Sequence, residues 1–98
     1  MSYNDMVIAA VRLAVLQILE QDTDYSHNEH ILQALLGKLG HGLSSDRVRT
    51  ELRWLEEQGL IRIEDISGTL VARLTRRGAD VSQGTARVDG VARPRPGL

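Results

Sequence analysis

Residues 44–75, SSDRVRTELRWLEEQGLIRIEDISGTLVARLT, constrain the fold of this 98-residue chain more than any other segment. Ser44 or Ser45 stands where a helix N-cap is wanted, and Asp46 places negative charge at the positive helix end. Val48, Leu52 and Leu55 then recur at spacings of four and three, the stripe of a helix that buries one side. Gly59 suits the left-handed residue that ends such a helix. The period changes at once. Leu60-Ile61-Arg62-Ile63 reads as a strand, Ser67-Gly68 as a tight turn, and 70–74 as a returning strand with Leu70, Ala72 and Leu74 on one face. Val71 and Arg73 fall on the other face. A helix followed directly by a β-hairpin is predicted.

Upstream, residues 4–21 read as a helix whose apolar positions, from Val7 to Leu19, cover nearly its whole circumference. Such a helix must be buried on more than one side. Two further helices cover one side, and a second subunit is the simplest cover for the other, so a homodimer through this first helix is expected. Its apolar span, Met6 to Leu19, is interrupted by Arg12 and Gln17 and is shorter than the roughly 20 residues that cross a bilayer, which argues against a membrane span. Ser26, with Glu29 three residues on, has capping-box spacing for a second helix carrying Ile31, Leu32, Leu35, Leu36 and Leu39. Gly37, Gly40 and Gly42 end that helix and leave a short connection to the third. Residues 76–83 read as a short helix packed through Val81. The expected fold class is mainly α with a β-hairpin (α+β), as one domain over residues 1–83. Residues 84–98, rich in Gly, Pro and Arg, form a flexible tail.

Apolar residues make up 42% of the chain, yet there is no Phe, so the core is built from Leu, Ile, Val and Ala. The absence of cysteine excludes disulfides and thiolate metal sites and is compatible with a reducing cytoplasm, the expected location. A net charge of −1 hides an asymmetry: six basic against eleven acidic residues through Ala72, then six against two from Arg73 onward. An acidic body with a basic end weighs against strong phosphate binding by the body alone.

The string Leu52-x-x-Leu55-x-x-x-Gly59-Leu60-Ile61, followed by Leu74-Thr75-x-x-Gly78, resembles the signature of winged helix-turn-helix transcriptional regulators. Among them it is similar to small winged-helix proteins of Mu-like phages and prophages, relatives of arsenic-repressor-type regulators. Basic, Gly/Pro-containing ends such as residues 88–96 also resemble that group. The resemblance implies a three-helix core with a two-stranded wing. In that family the leucines seat the recognition helix, the glycine ends it, and the Leu-Thr pair closes the wing before a final helix. It further implies a DNA-binding transcriptional regulator reading duplex DNA with the helix at about 44–58. Metal-sensing repressors carry a cysteine-rich motif on a helix; none exists here, so metal regulation does not carry over. The alternative is a protein-interaction or phage-assembly module that keeps the fold without the duplex.

On the third helix, Arg47, Arg49, Thr50 and Arg53 are the candidate DNA contacts, with Ser44 and Ser45 able to meet a phosphate at its start. Asp46 and Glu57 share the outward face, and an equally economical reading is a solvated helix in which Arg47 and Arg53 pair with those two carboxylates across i, i+4 spacings. On the wing, Arg62, Ser67, Thr69 and Arg73 are candidates, diluted by Glu64 and Asp65. Arg76, Arg77, Arg87, Arg93 and Arg95 offer sequence-independent attraction to nucleic acid, or to an acidic protein surface. Trp54, off the apolar stripe, is a packing partner for the second helix or an interface contact. His27-x-x-His30, with Glu29, His41 and Asp24 near in sequence, matches no established metal motif, so no metal or other cofactor is assigned. No catalytic constellation is recognisable, and no enzymatic activity is expected.

Overall fold

The computed structural model describes residues 2–95. The chain runs α1 (Tyr3–Gln21), β1 (Ser26–Asn28), α2 (Glu29–Lys38), α3 (Ser45–Glu57), β2 (Ile61–Ile66), β3 (Thr69–Leu74) and α4 (Arg76–Gln83). Among the described residues this is an α+β arrangement of four helices and one antiparallel three-stranded sheet of order β1-β3-β2. Leu16 and Leu19 of α1, Leu32 and Leu36 of α2, Val48, Leu52 and Leu55 of α3, and Leu60, Ile61 and Ala72 of the sheet side form one core.

The β2–β3 hairpin turns through Ser67 (φ 52°) and Gly68 (φ 88°), the two consecutive positive-φ residues that suit the twist of a two-residue hairpin loop. Its register sets Ile61 opposite Leu74, Arg62 opposite Arg73 and Ile66 opposite Thr69. Leu70 and Ala72 are therefore buried while Arg62 and Arg73 share the outer face.

The expected two-stranded wing is instead part of a three-stranded sheet. Ser26 does not cap α2; its backbone pairs with Arg73, and residues 26–28 occupy the second edge of β3. The cap is Asn28, whose Oδ1 accepts from the Ile31 N–H at 2.9 Å. A three-residue polar strand carries no alternation of its own, and only the open edge of β3 gives it a partner.

The cover sought for α1 is supplied within the chain. α4 packs along it, and Ala86, Val88 and Val91 add to the core. The Ala92 N–H donates to Ala9 O at 3.1 Å, and Arg12 Nη1 donates to Gly90 O at 3.1 Å. Residues 84–95 thus have no regular secondary structure beyond turns, as their composition implies, yet they form a strap docked on α1 rather than a free tail. Residues 96–98 of that expected tail lie outside the described residues. Among the described residues, no helix is long and apolar enough to cross a membrane.

Candidate nucleic-acid interface

Ser44 caps α3, its Oγ accepting from the Arg47 N–H at 3.1 Å, and Gly59 follows the helix with φ 78°. Burial of Val48, Leu52 and Leu55 turns Ser45, Asp46, Arg49, Thr50, Arg53 and Glu57 outward. Two of the polar candidates are engaged locally: Ser45 Oγ donates to Gln33 Oε1 at 3.2 Å, and Thr50 Oγ1 to Asp46 O at 3.0 Å.

Every arginine of α3 is paired with a carboxylate. Arg49 holds Glu29 at two points, each 2.7 Å, and its Nη2 also donates to Gly68 O at 2.6 Å. Arg47 Nε lies 2.9 Å from Glu51, and Arg53 makes a looser 3.4 Å contact with Glu56. Asp46 and Glu57 are not the partners; the carboxylates come from positions 29, 51 and 56.

Two acids organise this helix: Glu51, to which the residue pattern gave no role, and Glu29, whose carboxylate serves Arg49 and the Leu70 N–H, not the capping box expected with Ser26. Glu29 is 3% exposed and receives, besides Arg49, the Leu70 N–H at 2.6 Å. The Arg49 guanidinium holds its carboxyl below the usual glutamate range; burial opposes this and the Leu70 N–H supports it. Glu51 is 2% exposed and is shared by Arg47 and by Arg12 of α1, the latter at 2.7 Å. Its signal was available: position 51 falls on the stripe of 48, 52 and 55, where an acid has to be paired. For Glu29 the local spacing pointed to a cap with Ser26, whereas its actual partners lie 20 and 41 residues away.

Arg12 also lies over the Trp54 ring, 3.6 Å from the centroid. Trp54 therefore packs against Arg12 of α1 and the strap glycine Gly90.

The hairpin tip is tied to α3 through Arg49, which donates to Gly68 O beside Ser67, while Thr69 is half-buried at the first rung of β3. At the base of the outer face Arg62 and Arg73 stand directly opposite each other, both exposed. Like charges so placed repel unless an anion lies over them. Arg73 Nη1 donates weakly to Asp24 O at 3.3 Å. Among the described residues Arg62, Arg73, Arg76, Arg77, Arg87, Arg93 and Arg95 make no ion pair. Cationic capacity thus lies on the sheet's outer face, the start of α4 and the strap, more than on α3.

His27 is on β1 with its Nε2 3.1 Å from Asp22 Oδ2, while His30 is exposed on α2. Among the described residues no group of three or more metal-ligating side chains converges.

No protein-family model and no solved structure matches the chain. It is 44% identical over 78 residues to an uncharacterized protein of Haemophilus influenzae, spanning 79% of this chain and 76% of that one. It is 46% identical over 93 residues to the uncharacterized protein gp26 of Escherichia phage Mu, spanning 95% of this chain and 96% of gp26. Identity at that level across nearly the whole of both chains places this protein in the family of phage Mu gp26.

Proposed function

We propose that this protein is a winged-helix DNA-binding protein, a transcriptional regulator of phage or prophage origin, that lays α3 against duplex DNA with the hairpin beside it. The observation that carries the reading is the double grip of Arg49, which joins α3, the start of α2 and the wing tip at Gly68 into one body. A rigid helix–hairpin surface suits a groove and its flanking backbone, since contacts to phosphate fix register before any base is read. Ser44, Thr50 and Arg53 are the exposed reading positions on α3. Arg62 and Arg73, with Arg76 and Arg77 following, supply the phosphate attraction.

Gel-shift titration of mixed-sequence duplex across a salt series tests this. Binding is expected to weaken linearly in log–log form, with a slope of about −0.9 per phosphate neutralised. Arg62→Gln/Arg73→Gln lowers that slope by about 2, whereas Arg53→Gln changes sequence preference more than slope. Absence of binding even at low salt overturns the reading.

A second reading is favoured by one observation, the internal pairing of all three α3 arginines. An ion-paired helix surface serves equally as a docking face for a protein in phage assembly, and that reading predicts no duplex retention at any salt concentration.

A further inference from the structure

Apolar surface that α1 largely hides is left open on α2. Ile31, Leu35 and Leu39 recur every four residues along one side of the helix and its C-cap. Leu39 and Ile31 are 59% and 44% exposed, high values for large apolar side chains. Leu35 is half-buried and, with Ala14 and Ile18 of α1, lines an open groove of about 500 Å³ between the two helices.

The rim of this groove is charged unequally at its ends. Asp22 borders it beside the start of α2, where it meets His27. Lys38 borders it in the last turn of α2. A strip that is acidic at one end, apolar in the middle and basic at the other is complementary to itself under a two-fold axis.

We propose that the α1–α2 groove seats a second copy of this chain, the two α2 helices packing antiparallel about an axis at Leu35. Leu39 of each copy then approaches Ile31 of the other, and Lys38 approaches the acidic end at Asp22. Each helix start lies beside the other's C-terminal end, an arrangement the helix dipoles favour. A strip with opposite charges at its two ends and an apolar middle does not suit a nucleic acid, so this surface is separate from the arginines of the sheet. The proposal stands whether or not DNA is bound.

Sedimentation velocity on the full chain, from micromolar to millimolar concentration, tests it. The wild type is expected to show a monomer–dimer equilibrium. Leu39→Glu, at a position too exposed to disturb the fold, raises the dissociation constant at least about tenfold with an unchanged circular dichroism spectrum. Because the chain has no cysteine, the geometry is open to cross-linking. A mixture of Ile31→Cys and Leu39→Cys copies forms the mixed disulfide in preference to either symmetric one. A chain monomeric throughout overturns the proposal, including the case in which the groove captures a different protein. So does a dimer indifferent to Leu39→Glu, or one whose mixed disulfide fails to form.

Discussion

Arg49 of α3 grips Glu29 of α2 side-on, Nε to Oε1 and Nη2 to Oε2, both at 2.7 Å. The carboxylate is buried and the guanidinium is 44% exposed, so the two halves of the pair are unequal in what their loss costs. Removing the arginine leaves a buried anion with one remaining donor, the Leu70 N–H. Arg49→Ala is expected to destabilise the protein clearly more than loss of an exposed surface pair does. Arg53→Ala breaks only a looser, exposed contact to Glu56 and should cost about 0.5 kcal/mol or less. Urea denaturation of both variants makes the comparison; equal losses would show that the grip contributes no stability beyond a surface pair.

The same pair sets an acid limit. Glu29 titrates below its ordinary 4.5 because Arg49 and the Leu70 N–H bind its charged form. A lowered folded pKa means stabilisation is complete above the unfolded value and is lost as pH falls through the folded one. Wild type and Glu29→Gln should therefore differ most near neutrality and converge as pH drops below about 4.5. Thermal midpoints measured from pH 7 to pH 3 supply the test, and a constant difference across that range would contradict it.

Gly78 sits in the first turn of α4, where a Cβ would collide with the Leu60 carbonyl and stand 2.7 Å from Leu74 Cδ1. Thr75 completes this corner: its Oγ1 accepts from the Gly78 N–H at 3.0 Å and donates to Gly59 O at 2.8 Å. Ala in a helix interior is ordinarily favoured over Gly by about 1 kcal/mol. Here the sign should reverse, with Gly78→Ala costing about 2 kcal/mol or more because backbone, not a mobile side chain, blocks the space. A raised thermal midpoint for Gly78→Ala would refute the packing account.

Local chemistry explains which elements were readable from the residues. The α3 cap at Ser44, the stop at Gly59 and the Ser67-Gly68 turn each rest on residues adjacent in sequence, and each is where the pattern placed it. The motif Leu74-Thr75-x-x-Gly78 likewise marks one physical corner. β1 was not legible because Ser26-His27-Asn28 has no strand periodicity and pairs with a strand 43–47 residues away. Of the candidate contacts, Thr50, Arg53, Arg62 and Arg73 are exposed as expected. Arg49 could not be read as a clamp without knowing that folding brings Glu29 and Gly68 together. The strap misled for a related reason: small residues and arginines look like a free tail until a groove lined by α1 accepts them.

Gly90 is where that strap is fastened. Its φ of +96° belongs to glycine, and a Cβ there would stand 2.9 Å from Trp54 Cζ2 and 3.0 Å from Arg12 Nη1. Gly90→Ala therefore strains the backbone and pushes on the ring that Arg12 covers. Since Trp54 is the one tryptophan in the chain, its emission reports this site alone. Gly90→Ala should shift that emission to longer wavelength as water reaches the ring, with a stability loss of about 1–2 kcal/mol. The Ala92 N–H, bonded to Ala9 O, should exchange with solvent faster in the variant, while amides of Leu52 and Leu55 keep their protection because the core beneath α3 is untouched. Unchanged emission together with unchanged Ala92 exchange would mean that residues 84–95 are held to α1 by their apolar contacts, not by the Gly90 seat.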